Sequence, residues 1–175
     1  MTILKGEKIY FRRLTEEDAT KRYCQWLNDP EVNKYLETKS ATVAGIREYI
    51  KAKNRDPKCL FFGIFSRKDN RHIGNFKLDP IDLKEKKAFF GLLIGDKSYW
   101  GMGIGTEATK VMADYCFNKL NLNRVEAAMI SKNVASFKIH QKLGFEVDKM
   151  ENDIISMSVE KKSWKAQNKQ QKKLN

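Results

Sequence analysis

The feature that most constrains this chain is a glycine-rich loop between an apolar run and an amphipathic segment. Residues 89–94 read FFGLLI, an apolar run with the length of a buried strand. Three glycines follow at alternate positions: Gly101, Gly103 and Gly105. Apolar residues then recur at helical spacing from Ala108 to Leu120. The pattern predicts a strand, a tight loop and a helix whose N-terminal amides attract an anion such as phosphate.

The spacing of these glycines excludes two common phosphate loops. No Gly-Lys-Ser/Thr sequence ends the loop, so a P-loop does not fit. The dinucleotide-binding fingerprint places its last two glycines three positions apart, whereas here each glycine follows the previous one by two positions. A tight turn that binds nothing would also explain the glycines, so the loop by itself leaves both interpretations open.

A second strand and helix follow the loop. Residues 124–130 have the composition of a strand, and Asn133 can cap a helix that ends at Gly144. On that helix Asn133, Ser136 and His140 are three and four residues apart, so they share one face. The adjacent face is apolar, and we expect it to pack on the sheet through Ala135, Ile139 and Leu143. A polar stripe beside an apolar one, next to a phosphate loop, indicates a ligand groove.

These two motifs resemble those of the GNAT N-acetyltransferases. Residues 100–108, WGMGIGTEA, are similar to the acyl-CoA pyrophosphate loop of that family. Residues 133–136, NVAS, and 142–145, KLGF, resemble its Asn-x-x-Ser and Lys-Leu-Gly-Phe signature. The motifs occur in the family's order and at its separation, and the resemblance extends over residues 9–160. The most similar branch is the one that resembles the RimJ/RimL ribosomal-protein acetyltransferases.

The resemblance implies an α/β (α+β) fold with a mixed, mostly antiparallel central sheet of about seven strands, flanked by helices, in which a central strand pair splays apart. We expect strands over residues 8–14, 59–66, 72–79, 86–94, 124–130, 146–150 and 154–159. We expect helices at residues 19–27, 31–36 and 42–53 before the loop, and at 108–120 and 133–144 after it. Residues 1–160 would form this domain, and residues 161–175 a basic, disordered tail.

The resemblance also implies acetyl-CoA as cosubstrate. Backbone amides of the glycine loop would hold its pyrophosphate, and the loop residues concerned are Trp100, Gly101, Met102, Gly103, Ile104, Gly105 and Thr106. Leu92, Leu93 and Ile94 would offer donors to the thioester oxygen and pantetheine at the splayed strand pair. Asn133 and Ser136 would line the cofactor groove.

The resemblance assigns the proton chemistry less completely. Many relatives place a tyrosine at the position of His140 and use it to protonate the leaving thiolate, a task that an imidazole can also perform. Alternatively, His140 only lines the groove, and the thiolate leaves to solvent. Several relatives carry a basic carboxylate on the fourth strand, where this chain has Phe89 and Phe90. Glu31, Asp79 or a chain of water molecules are the remaining candidates for the base.

The acceptor is expected to be a small primary amine. Residues 25–37 are similar to the corresponding segment of acetyltransferases that act on nucleotide-linked amino sugars. Trp26 and Tyr35 would stack on a ring, Lys77 would bind a phosphate, and Glu31 lies in the same segment. The segment equally resembles that of ribosomal-protein and polyamine acetyltransferases, so a protein N-terminus or a polyamine stays an alternative.

The charge of the chain leaves a different class of function open. The six lysines of residues 161–175 account for half of the net charge of +12, which leaves +6 for the remaining residues. A basic module that binds RNA or the ribosome would have this balance, but the aromatic residues do not alternate with basic ones on any strand, so nucleic acid is the less favoured partner. The +6 also disfavours a polyamine acceptor.

The cysteines and the apolar runs constrain the cellular setting. Cys24, Cys59 and Cys116 are odd in number and without metal-ligand spacing, which argues against disulfides and a metal site and favours the cytoplasm. No apolar run approaches the ~20 residues that span a bilayer, so no membrane partner is expected. The pattern does not distinguish a monomer from a homodimer.

Overall fold

A single mixed sheet forms the centre of the molecule. The computed structural model describes residues 3–165, and its eight strands in this range are β1 (Ile3–Lys5), β2 (Ile9–Arg13), β3 (Leu60–Ser66), β4 (His72–Asp82), β5 (Lys87–Ile94), β6 (Arg124–Ile130), β7 (Glu146–Glu151) and β8 (Ile154–Glu160). Their order is β1-β2-β3-β4-β5-β6-β8-β7, and only β5 and β6 run parallel. The expected mixed, mostly antiparallel sheet is confirmed, with β1 as a strand that the sequence pattern did not predict.

Four α-helices cover the two faces of the sheet: α1 (Lys21–Asn28), α2 (Val43–Arg55), α3 (Ile104–Asn118) and α4 (Val134–Lys142). Threonine side chains cap the first two, since Thr20 accepts from the amide of Tyr23 and Thr42 from that of Gly45. An apolar core packs α3 and α4 against one face of the sheet, and a smaller one packs α1 and α2 against the other.

The short helix expected at residues 31–36 is absent, and turns occupy this segment. The physical reason is competition from side chains. Asp29 accepts a hydrogen bond from the Glu31 amide at 2.9 Å, and the buried Asn33 side chain donates to the carbonyls of Leu27 and Lys39 at 2.8 and 3.1 Å. These side-chain bonds take over part of the hydrogen bonding, so the backbone bonds from Asn33 to Asp29 and from Leu36 to Asn33 remain isolated turns and do not extend into a helix.

The central strand pair splays apart as expected. Strands β5 and β6 pair from Lys87–Arg124 to Phe90–Ala127, and no pairing continues beyond this point. On its other side β5 remains paired with β4 as far as Ile94. Residues 91–94 therefore have one edge in the sheet and one edge free, next to the start of the glycine loop.

The beginning of the expected disordered tail is ordered. Residues 161–165 are helical, and Trp164 is buried against α3. Its indole Nε1 donates to Asp114 Oδ1 at 2.7 Å, and its ring lies 6.0 Å from that of Phe117. The prediction for residues 166–175 concerns a segment outside the described residues.

Candidate active site

The glycine loop presents its backbone amides at the N-terminus of α3. Gly101 and Gly103 have φ angles of +74° and +79°, and Gly103 is the N-cap of the helix. These left-handed conformations suit glycine because other L-residues are strained there. The amides of residues 101–106 donate to no group within residues 3–165. They form a set of free donors at the positive end of a helix.

Contacts with the end of β5 and with Lys8, just before β2, fix the glycine loop and the first turn of α3. Trp100 Nε1 donates to the carbonyl of Ile94 at 2.8 Å, and Lys8 Nζ donates to that of Met102 at 2.9 Å. Glu107, in the first turn of α3, accepts from the backbone amide of Lys8 at 2.9 Å. None of these contacts uses a backbone amide of residues 101–106, so they hold the loop in place and leave those amides free.

Beyond the point where β5 and β6 separate, successive residues of β5 face opposite sides of the sheet. Leu92 and Ile94 pack with the core under α3, whereas Leu93 packs with the core under α1 and α2. All three are half-buried. A ligand that enters the separation would contact the free edge of β5 and have access to both faces.

Helix α4 borders the other side of the separation. Asn133 caps it, because its Oδ1 accepts from the amide of Ser136 at 3.2 Å. The expected apolar face is only partly observed: Ile139 is half-buried and Leu143 packs on the core, but Ala135 is exposed and Phe137 packs in its place. The helix is therefore rotated about its axis relative to the sequence-based expectation.

His140 lies at the end of α4 and is almost completely buried, with 4% of its surface exposed, rather than facing an open groove. Its Nδ1 donates to the carbonyl of Ser136 at 2.8 Å, and its ring meets that of Phe145 edge-on at 4.8 Å. Burial lowers the pKa of His140 below its ordinary value, although the hydrogen bond to Ser136 acts in the opposite direction. The ring is thus neutral near pH 7, and Nε2 has no partner in residues 3–165.

A pocket of about 710 Å³ opens on the face of the sheet that α1 and α2 cover. Its wall includes Leu92, Leu93 and Lys77 from the sheet, side chains of α1 and α2, and the loop between these helices. Glu37 is the carboxylate that lines it. We call this space the acceptor pocket, because it adjoins the splayed strands from the side opposite α3.

Lys77 belongs to a charged cluster at one end of the acceptor pocket. Its Nζ donates to the hydroxyl of Tyr49 at 2.8 Å and lies 3.3 Å from Asp79 Oδ2, which Lys53 Nζ approaches to 2.6 Å. Burial alone would raise the pKa of Asp79, but hydrogen bonds from the two lysines outweigh it and lower the pKa. Asp79 is therefore an ionised partner of two cations, which makes it a poor general base.

The other acceptor residues expected from the sequence lie outside this pocket. Trp26 is buried, and a Cβ on Gly95 would lie 2.2 Å from its ring, so it supports the start of the glycine loop. Glu31 forms an ion pair with Lys97, and Tyr35 donates to the carbonyl of Lys132 at 2.9 Å. These contacts engage all three side chains in holding loops together.

The acceptor pocket also contains polar residues that the sequence analysis missed. Tyr49 projects from α2, Tyr23 from α1 and Asn75 from β4. Each is an unremarkable polar residue within its own element, and only the packing of α1 and α2 on β4 brings them together. Within residues 3–165 no group of His, Cys, Asp or Glu side chains could hold a metal ion, and no helix is long and apolar enough to cross a membrane.

Comparison with known proteins shows to which family the chain belongs. The sequence profile of the acetyltransferase (GNAT) domain matches residues 8–146. The chain belongs to the GNAT family of acetyltransferases. It is 32% identical over 157 residues to the uncharacterized N-acetyltransferase p20 of Bacillus licheniformis, a match that covers 87% of each chain.

Solved GNAT structures share the fold. The apo structure of FdhC, a nucleotide-linked sugar GNAT, superposes with a TM-score of 0.82 and 20% identity, over 97% of this chain and 96% of that one. The spermidine N-acetyltransferase from Vibrio cholerae, in complex with CoA and spermine, superposes with a TM-score of 0.80 and 18% identity, over 91% and 99% of the two chains. At these identities the likeness shows the fold alone.

Proposed function

We propose that this protein transfers the acetyl group of acetyl-CoA to the amine of a nucleotide-linked amino sugar. The observation that carries the proposal is the position of the acceptor pocket, which lies between the free edge of β5 and the Lys77 cluster. The free edge of β5 can donate backbone hydrogen bonds to a thioester, and the Lys77 cluster can bind a phosphate.

The cofactor half fits acetyl-CoA. The free amides of residues 101–106 suit the pyrophosphate, since they stand at the N-terminus of a helix of 15 residues. The unpaired edge of residues 91–94 suits pantetheine, whose amide groups can pair with a strand edge. A backbone N–H at the same edge would stabilise negative charge on the thioester oxygen. A CoA complex of a protein with the same fold, the spermidine N-acetyltransferase, supports this half of the proposal.

In the reaction, the lone pair of the amine attacks the carbonyl carbon of the thioester. The new C–N bond forms, the C–S bond breaks, and the sulfur leaves with the electron pair while the nitrogen loses a proton. We assign to His140 the protonation of the sulfur. Because its Nδ1–H is committed to Ser136, only Nε2 can take up the proton that the amine releases and deliver it to the thiolate.

The acceptor half fits an anionic ring compound better than a polyamine. Glu37 is the acidic side chain among the lining residues, but the Lys53–Asp79–Lys77 cluster carries a net positive charge, because two lysines surround a single carboxylate. A phosphate would be attracted to it, whereas a polyamine would be repelled. Fold likeness does not choose between these acceptors, because FdhC and the spermidine N-acetyltransferase superpose almost equally well. Ribosomal-protein acetylation, which the resemblance to the RimJ/RimL branch suggested, is the main competing activity.

An acceptor screen with acetyl-CoA tests the proposal. It compares a nucleotide-linked amino sugar, the free amino sugar, spermidine and N-terminal peptides of ribosomal proteins, with thiol release as the readout. We expect the nucleotide-linked sugar to have the highest kcat/KM. A higher kcat/KM for spermidine or a peptide would reassign the acceptor. A failure to bind CoA, together with salt-sensitive binding of polynucleotides, would favour a basic RNA-binding module instead.

A matched pair of lysine variants tests the phosphate site. Lys77→Met removes the cation in the acceptor pocket, and we expect it to raise the KM for the nucleotide-linked sugar about tenfold while it changes the KM for the free sugar little. Lys87→Met is the control, because Lys87 also pairs with a carboxylate, Glu126, but lies at the opposite end of β5. Equal effects of Lys77→Met on both sugars would contradict a phosphate contact.

A further inference from the structure

Asn75 is a buried amide with an unpaired donor in the wall of the acceptor pocket. The residue is 4% exposed, and its Nδ2 is shielded from solvent and has no hydrogen-bond partner in residues 3–165. No other side-chain nitrogen or oxygen in this range is both shielded from solvent and without a partner. Burying a donor without a partner costs free energy, so buried amides are normally paired. An oxygen atom of a ligand in the pocket would supply the missing partner.

His72 holds this amide in one orientation. Its Nε2 lies 2.9 Å from Asn75 Oδ1, and since a carboxamide oxygen only accepts, the imidazole donates. Three aromatic rings fix the imidazole in turn: it stacks on Phe65 at 4.9 Å and meets Trp26 and Tyr23 at 5.0 and 5.6 Å. The amide cannot rotate without losing its bond to His72, so its NH₂ group stays directed away from that ring.

The register of the sheet places this donor between the reacting edge and the phosphate site. Asn75 pairs with Leu93, and residues directly opposite each other in a ladder share one face. Lys77 lies two residues further along β4, on the same face, at a distance of roughly 7 Å along the strand. All three line the acceptor pocket. A ring that holds its phosphate at Lys77 and its amine at the β5 edge would therefore pass over Asn75.

We propose that Asn75 Nδ2 donates a hydrogen bond to the hydroxyl group beside the acceptor's amine, and that His72 is its positioning residue. This inference rests on the proposed acetylation of an amino sugar and adds which part of the sugar is recognised. The hydrogen bond would also discriminate against polyamines, because a polyamine has no oxygen atom to accept it. A site built around a buried polar group rejects analogues that leave that group unpaired.

Two acceptors that differ in one atom test the contact. One is a nucleotide-linked amino sugar, and the other is its analogue with hydrogen in place of the hydroxyl beside the amine. We expect the parent enzyme to prefer the first by about 10- to 100-fold in kcat/KM. Asn75→Ala should remove this preference by slowing the first acceptor and leaving the second within about threefold. A parent preference below about threefold would overturn the inference without recourse to any variant.

Two further variants test the orientation of the amide. Asn75→Asp keeps the shape but replaces the NH₂ donor by an acceptor, so it should lose at least as much kcat/KM on the hydroxylated acceptor as Asn75→Ala. Full activity of Asn75→Asp would mean that an oxygen faces the pocket, which contradicts the proposal. His72→Phe keeps an aromatic ring and removes the bond to Asn75. It should lower the preference for the hydroxylated acceptor, whereas equal losses on both acceptors would show a purely structural role and refute the positioning.

The same experiment separates this inference from the function on which it rests. If the parent acetylates neither acceptor, the proposed function fails, and this inference with it. If the parent acetylates both, but Asn75→Ala slows both equally, the function stands and only the hydrogen bond is refuted. Thermal melting and CoA binding of each variant show whether the fold and the cofactor half are intact.

Discussion

Replacement of Gly103 by alanine tests the assignment of the glycine loop. Gly103 has a φ of +79°, and a Cβ built on it meets no heavy atom within 4 Å, so the protein itself has space for the methyl group. The left-handed backbone should cost alanine about 1–2 kcal/mol. In a protein of this size 1 kcal/mol shifts Tm by about 2–4 °C. We therefore expect Gly103→Ala to fold with a Tm that is lower by about 2–8 °C.

The effect on CoA should be larger than this strain explains. The new methyl group lies among the free amides of residues 101–106, where we propose that the pyrophosphate binds closely. Loss of close approach to even one amide should weaken CoA binding at least about tenfold, equivalent to ~1.4 kcal/mol. Calorimetric titration with CoA at fixed ionic strength measures this directly, because a charged ligand binds differently at each salt concentration.

Gly144 provides the matched control. It follows α4 with a φ of +78°, so Gly144→Ala introduces the same backbone strain outside the loop. We expect a similar loss of Tm and a CoA affinity within about twofold of the parent. If folded Gly103→Ala binds CoA as tightly as the parent, the loop is not the pyrophosphate site. If both variants weaken CoA equally, the effect comes from general destabilisation.

Three further perturbations test the site and the fold. His140→Phe should lower kcat at least ~100-fold with nearly unchanged CoA binding if the imidazole protonates the thiolate, and a rate within a few-fold of the parent would mean that solvent does so. Burial lowers the pKa of both His72 and His140 below 6.5, so the unfolded state binds more protons than the folded state does. Denaturant melts should therefore show a contribution to stability that is present above pH ~6.5 and is lost on acidification. A His140→Phe variant should show a shallower loss, and pH-independent melting of the parent would contradict this. Trp164→Ala should lower the free energy of unfolding by about 3–5 kcal/mol, and truncation after Glu160 should have the same effect. Urea denaturation of either variant like that of the parent would refute the packing of this segment.

The conformation of the glycine loop and of α4, where we propose that CoA binds, was predictable because its signals are local. The alternate glycines of the loop and the helical spacing after them predicted α3 within a few residues, although its observed start at Ile104 lies earlier than the expected residue 108. Asn133 was correctly identified as the cap of α4. Each of these features depends on residues within one turn of each other, so their chemistry can be recognised in the sequence alone.

The lining of the pocket that we propose for the acceptor was decided by packing between distant segments. Trp26 and Tyr35 looked like ring-stacking residues, but the first packs under Gly95 and the second binds a carbonyl 97 residues away. Asn75, which carries the unpaired donor, received no signal from its neighbours in sequence. Its position depends on pairing with β5 and on the ring of His72.

Residues 161–165 show the same difference between local sequence signals and contacts made by packing. The composition of residues 161–175 is that of a solvated tail, since lysine and glutamine cannot drive burial by themselves. One residue reverses the outcome for 161–165: Trp164 finds Asp114 and Phe117 on α3 and is buried there. Sequence alone determined the glycine loop, the Asn133 cap and most of the strands, because these depend on backbone conformation and short-range periodicity. Tertiary structure alone decided which polar and aromatic side chains meet, because such contacts join residues that are far apart in the chain.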